Sequence, residues 1–305
     1  MSEGLLALYA VVRGLIYIAL LLLVGTQVVG WLLRPLDHDF APRDSPRRRL
    51  ERVPPAALIG LLLAILARGL LQLDSLLDPG DHITFDLVRN ALLTGSWGHA
   101  WLLQSLAVAV TLILVAFVRP RMPDVLVVVL VAAMLCGQTG MGHAAGDPWP
   151  SLSGRVVDLL HLVGAGIWLG TLAVLMIALL PLVNHSAHIP HLASVIHRYS
   201  IFARIGVVLV VASGVTAALV YSGASVRMLL ESTWGRLLLF KLGCMAGVMA
   251  LGWYNWRVVT PALKAGVPGC ERKLRRAIIA ELSLTIAMLA ITTVLVATAL
   301  PGEGS

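Results

Sequence analysis

The stretch GQTGMGHAAGDPWPSLSGRVVDLLHLVGAGIWLG, Gly137–Gly170, separates two long apolar runs and holds His143, Asp158 and His161. What those polar groups do depends on the solvent around them, and composition decides that first. Of the 305 residues, 58% are hydrophobic and 13% charged, against about 25% charged in a typical soluble domain. Crossing about 30 Å of hydrocarbon takes about 20 predominantly apolar residues. Eight stretches qualify: roughly 6–33, 54–77, 96–118, 124–145, 155–180, 200–221, 235–258 and 277–299. The alternating strands of a barrel are absent, so the pattern predicts an all-α fold, a polytopic bundle of eight transmembrane helices. No linker is long enough to divide it, so residues 1–305 read as one integral membrane domain. The first apolar run lacks the basic segment of a cleaved signal peptide, which predicts a retained first span.

Lysine and arginine concentrate on alternate loops. Arg34, Arg43, Arg47, Arg48, Arg49 and Arg52 follow the first span, and Arg119 and Arg121 the third. Arg198 and Arg204 follow the fifth, and Arg257, Lys264, Arg272, Lys273, Arg275 and Arg276 the seventh. Basic loops stay in the cytoplasm, so both termini are expected outside, in the periplasm of a bacterium. The net charge of +7 comes mainly from these loops and forms no separate basic domain, which argues against nucleic-acid binding. Cys136, Cys244 and Cys270 make no CxxC pair; two fall in spans and Cys270 in the last cytoplasmic loop. No phosphate-binding G-x-x-x-x-G-K-[ST] pattern occurs, so the expectation is a gradient-driven or handoff carrier and not an enzyme.

Charged residues within spans are Arg13, Arg68, Asp74, Lys241 and Glu281, with Asp158 near a helix end. Each is costly in lipid and should face the bundle interior or reach the interface. Arg13 and Asp74 fall at similar depth, which suggests a pair. Gly166 and Gly170, and likewise Gly243 and Gly247, form GxxxG patterns that predict close helix packing.

Span four runs outward, so His143 lies near its outer end. Span five runs inward, and His161 sits ~10 Å down it at about 1.5 Å per residue. Asp158 and His161, three apart, share a helix face, and Trp168 continues the stripe. Cys136, Gly140 and His143 line one face of span four. His99, Met141, Asp81 and His82 fall at the same outer level. Interfacial histidines commonly just hydrogen-bond water and headgroups, but two imidazoles and a carboxylate at one depth favour a metal site. Imidazole with thioether or thiolate suits copper, and with carboxylate divalent copper or zinc. On the cytoplasmic side His185, His188, His191 and His197 gather around Pro190. They read as a solvated interfacial loop, with a metal exit site as the alternative.

A resemblance adds to this reading. GHA (142–144), DLLHLVGAGIWLGTL (158–172), HRYSIFARIGVVLVVASGVTAAL (197–219), TWGRLLLFKLG (233–243) and LRRAIIAELSL with a closing LP (274–301) resemble the CopD copper-resistance family of bacterial inner-membrane proteins. The similarity is strongest over 137–301 and looser through VVRGLIYIALLLLVG (11–25) and LLTGSWGHAW (92–101). It implies eight spans, copper as the ion, and a periplasmic copper carrier of the CopC type as partner. It points to His143, Asp158, His161 and Trp168, with Lys241 and Glu281 in structural or coupling roles. The family pattern places a histidine after the first-span arginine, where this chain reads Arg13-Gly14-Leu15-Ile16.

The expected function is copper transport or delivery across the inner membrane. Copper would be received by His143 and His161, with Met141, His99 or Cys136 completing the site and Asp158 orienting His161 or neutralising the cation. The alternatives are a b-type haem protein for electron transfer, its iron held by two histidines, and a non-transporting receptor for the periplasmic carrier. A cysteine probe at Ser151 should label from the periplasm and one at Ser45 should not. The reverse pattern would turn the molecule over in the membrane.

Overall fold

The structure, a computed structural model, describes residues 3–36, 45–77, 82, 84–118, 123–142, 152–179, 189–221, 225–265, 267 and 269–298. Every regular element among them is helical. In chain order these are α1 (Glu3–Leu33), α2 (Pro46–Leu50), α3 (Val53–Asp74), α4 (Phe85–Val88), α5 (Ser96–Phe117), α6 (Asp124–Thr139) and α7 (Ser153–Ala165). Then follow α8 (Thr171–Leu179), α9 (Ile189–Tyr221), α10 (Val226–Glu231), α11 (Thr233–Tyr254), α12 (Thr260–Lys264) and α13 (Cys270–Ala297). Starts are set by familiar chemistry. Pro46 and Pro54 occupy first-turn positions that need no amide donor, and the Ser232 side chain accepts from the Gly235 amide to open α11.

Seven helical stretches are long and apolar enough to cross a membrane: Ala7–Leu33, Pro46–Asp74, Ser96–Phe117, Ser153–Leu179, Ser194–Tyr221, Thr233–Ala262 and Arg272–Leu295. The expected span at 124–145 is the exception. Its helix, Asp124–Thr139, has 16 residues, about 24 Å at 1.5 Å each. It ends at Thr139, and two residues further on the Met141 carbonyl accepts from Arg68 Nη2 at 2.9 Å. Two other boundaries move. α9 begins eleven residues before the expected 200, because Pro190 sits in its first turn, where proline is tolerated. α13 begins at Cys270, which is buried beside Val259 and Leu274 and is not a loop residue.

α1 packs on α3 along one side and on α8 and α13 along the other. α5 pairs with α6, α7 with α9, and α11 with α13. Gly14 lies against Thr293 Cγ2, so the N-terminal half of α1 meets the C-terminal half of α13 at one end of the bundle, here the terminal end. At the other end Arg34 forms an ion pair with Asp124.

Two of the long helices change pitch within their length, as does the short helix that α4 begins, through Arg89–Thr94. Gly166–Gly170 between α7 and α8, and Asn255–Val259 between α11 and α12, are π turns. A widened ladder strands carbonyls that other groups must satisfy. The Tyr199 hydroxyl donates to Trp168 O at 3.0 Å and the Thr260 hydroxyl to Asn255 O at 2.9 Å.

The charged residues of the spans face inward as their cost requires, Asp74 apart. Arg68 has no exposed surface; it donates to Gln138 Oε1 at 3.0 Å and stacks over Trp97. Arg13 and Glu281 are buried. Asp74 lies exposed at the end of α3, and no ion pair joins it to Arg13 among the described residues. Arg13 instead stacks on Tyr9, four residues before it on the same helix, at 5.5 Å.

The two GxxxG patterns part company. A Cβ on Gly170 would strike the Leu21 carbonyl, and one on Gly25 the Gly170 carbonyl, so α1 and the π turn touch backbone to backbone. Gly243 has nothing within 4 Å of where its Cβ would lie, while a Cβ on Gly247 would lie 3.2 Å from Leu284 Cδ1; on α11 the close approach is to a side chain and only at Gly247. Gly170→Ala should therefore destabilise the detergent-solubilised protein by about 1–3 kcal/mol, as overpacking does. Gly243→Ala should stay within about 0.5 kcal/mol of wild type. Equal thermal midpoints for the two variants would contradict this crossing.

Candidate functional site

Asp158, His161, Arg13 and Lys241 line one cavity of about 280 Å³ in the terminal half of the bundle. α7 supplies Asp158 and His161, which its 3.6-residue pitch puts on one face as expected. α1 adds Arg13 and Tyr17, α9 Ser213 and Gly214, α11 Trp234, Lys241 and Met245, and α13 Met288. Among the described residues Lys241 is the only lysine on the wall, and it acts electrostatically on both Asp158 and His161. The described residues thus bring one carboxylate, one imidazole, one arginine and one lysine to the cavity.

The imidazole is oriented by α9. His161 Nδ1 lies 3.0 Å from Ser213 Oγ. The single hydroxyl proton of Ser213 goes to its own helix, Oγ to Leu209 O at 2.5 Å. Ser213 Oγ therefore accepts from Nδ1–H, which leaves the lone pair on Nε2. Gly214 lies beside the ring, where a Cβ would meet His161 Cε1 at an ordinary contact distance of 3.5 Å. Among the described residues the ring's side-chain partner is Ser213; for Asp158 this leaves the other expected role, neutralising a cation. Ser213 stood within the quoted 197–219 stretch as a polar residue in an apolar run. Its offset from His161 is a matter of helix pairing, invisible to spacing along one chain.

The other expected ligands lie elsewhere. His99 and Cys136 line a separate groove of about 440 Å³ with Arg155 and Thr139. Arg155, Val156 and Leu159 of α7 face that groove while Asp158 and His161 face the cavity, so α7 stands between the two sets. Cys136 and Gly140 share a face as expected. The His99 ring lies 3.1 Å from Leu93 O through Nε2. Met141 is buried and lines neither space. His82 is exposed. His143, Asp81, His185 and His188 lie outside the described residues, as does the side chain of His191. Among the described residues no three of His, Cys, Asp and Glu group as metal ligands.

Trp168 is not a cavity ligand. It is packed with Leu169, Val248 and Met288 in an apolar cluster. Leu169 and Met288 wall the cavity of His161, and Trp168 and Val248 wall a second cavity in the other half of the bundle.

The site predicts a tautomer. Nitrogen NMR of His161 in the purified protein should report a proton on Nδ1, and Ser213→Ala should remove that preference. A wild-type ring protonated on Nε2 alone would contradict the geometry.

Comparison with known proteins covers nearly the whole chain. The family model "Copper resistance protein D-like, N-terminal domain" matches residues 1–149, and "Copper resistance protein D" matches 193–295. The segment with Asp158, His161 and Trp168 falls between the two. Over 300 residues the chain is 28% identical to "Copper resistance protein D" of Pseudomonas syringae pv. tomato, covering 91% of this chain and 92% of the relative. Over 250 residues it is 26% identical to "Inner membrane protein YebZ" of Escherichia coli (strain K12), covering 81% and 83%. No solved structure matches.

Proposed function

Because the chain belongs to the copper resistance protein D family, we propose that it carries copper across the bacterial inner membrane by way of the cavity of His161 and Asp158. It is a multi-pass protein of that membrane, as its apolar helices and its inner-membrane relative indicate. Eight passes are part of this proposal: the contact of Gly14 on α1 with Thr293 on α13 at one end supports an even number of crossings, and the apolar Asp124–Thr139 would add an eighth to the seven long stretches. By the rule for positive charge the basic loops are proposed to face the cytoplasm and both termini the periplasm. A single membrane domain is proposed as well, a reading that the packing of α1 on α3, α8 and α13 supports.

The observation that carries the proposal is the convergence of His161 and Asp158 with Lys241 in one cavity at that periplasmic end. Copper is cargo here. His161 offers it the unprotonated Nε2, and Asp158 offers negative charge. Before copper arrives, Lys241 and Arg13 compensate Asp158, so the carboxylate is not left alone at membrane depth. An arriving copper ion takes over that role and must displace Lys241, which makes Lys241 a competitor of the cargo. His143, from the segment that precedes α7, is proposed as a further ligand. A periplasmic carrier of the CopC type is proposed to load the site, because the cavity lies at the end such a carrier reaches. The chain carries no nucleotide-binding pattern, so movement draws on an ion gradient or on handoff.

Copper titration of purified protein tests this. His161→Ala should abolish binding at the cavity. Asp158→Asn should weaken it about 10–100-fold, the usual effect of losing a supporting carboxylate. Lys241→Met should tighten it. If Lys241→Met weakens copper binding as much as His161→Ala, the lysine belongs to the site in another way and the displacement scheme is wrong.

A further inference from the structure

The larger cavity, about 470 Å³, lies in the cytoplasmic half, beyond the Trp168 cluster. Its walls are mainly aromatic and aliphatic, and its polar groups are few. Glu281 of α13 is 4% exposed. Asn255, 9% exposed, donates from Nδ2 to Glu281 Oε1 at 2.5 Å. The other end of that amide, Asn255 Oδ1, is buried and has no hydrogen-bond partner. The remaining titratable groups on the walls, Tyr199 and Arg204, both come from α9, and α8 contributes only apolar side chains. The Tyr199 proton is committed to Trp168 O. Arg204 donates from Nε to Ser200 O at 3.1 Å and stacks over Trp256 at 5.6 Å. No ion pair joins Glu281 to a cation among the described residues.

Two acceptors are therefore left at one cavity: a carboxylate held by a single neutral donor, and an amide oxygen with none. A buried carboxylate needs charge compensation, and a buried acceptor needs a donor or a cation. One small cation meets both needs. Carboxylate and amide oxygens suit a hard ion, whereas copper is drawn to imidazole and sulfur. Asn255 also opens the π turn Asn255–Val259, a deviation frequent at functional sites.

We infer that Glu281 and Asn255 form a binding site for a small hard monovalent cation, a proton or Na⁺, on the cytoplasmic side of the Trp168 cluster. The site stands on its own contacts; its purpose as the counter-ion step of gradient-driven transport rests on the proposed function. A proton binds by adding to a Glu281 carboxylate oxygen; Na⁺ binds by coordination to Glu281 and Asn255 Oδ1. No bond within the protein breaks in either case.

Copper-free purified protein provides the test. Thermal unfolding is recorded in NaCl and in choline chloride at equal ionic strength, and infrared spectra are taken in H₂O and D₂O. If Na⁺ is the occupant, it raises the wild-type midpoint and Glu281→Gln abolishes the rise. If a proton is the occupant, the midpoint ignores Na⁺. The wild type then shows a deuterium-sensitive carboxylic acid C=O band that Glu281→Gln removes. A shift or band that survives Glu281→Gln overturns the site, as does the absence of both from wild type. Should Glu281→Gln fail to fold, Asn255→Asp decides: it must strengthen the Na⁺ shift or displace the band, and no change overturns the site. Calorimetric copper titration of the same wild-type samples keeps the readings apart. Its failure sinks copper transport and leaves the cation site to its own two readouts.

Discussion

Where Gly25 meets Gly170, the backbones of α1 and the long α7–α8 helix touch with no side chain between them. Helix association in a bilayer gains little from the hydrophobic effect, so close van der Waals contact of this kind has to supply it. The crossing falls inside the Gly166–Gly170 π turn. That turn sets the rotation between α7, whose face carries Asp158 and His161, and α8, whose face is apolar. It also frees the Trp168 carbonyl for Tyr199, which ties α9 to the same level. The Trp168 cluster and the two cavities on either side of it are held in place by this one contact.

Electrostatics divides the molecule along the same line. In the terminal half, among the described residues, a carboxylate and an imidazole share a cavity with an arginine and a lysine. In the other half a carboxylate has only an amide for company among the described residues. Apolar surroundings magnify both situations, because a charge in a medium of low dielectric must find a partner or lose its charge. The first cavity resolves its charge internally with Lys241 and Arg13, so an arriving cation has to compete. The second leaves room for one to bind.

Much of this was legible in the sequence because the membrane imposes simple rules. The helical class, the apolar stretches, the close packing of Gly166 and Gly170, and the shared face of Asp158 and His161 all follow from local periodicity. The rest depends on how helices are rotated against each other. The sequence puts His99 at the outer level and Cys136 deeper on the same side, yet α7 separates both from His161, and depth alone could not reveal that. Depth equally suggested a pair for Arg13 and Asp74, although Asp74 lies at an exposed helix end. Lys241 and Ser213 belong to the cavity through contacts across helices far apart in the chain. The bond from Arg68 to the Met141 carbonyl, just past the end of Asp124–Thr139, is likewise a contact between helices that no apolar count could foresee.

The central claim is that copper is received beside His161 and Asp158. Anomalous scattering at the copper edge, from crystals of the copper-loaded protein, tests it directly. The account predicts a peak in the cavity between α1, α7, α9 and α11, at a bonding distance of about 2 Å from His161 Nε2. A peak in the groove of Cys136 and His99, with the His161 cavity empty, would contradict it.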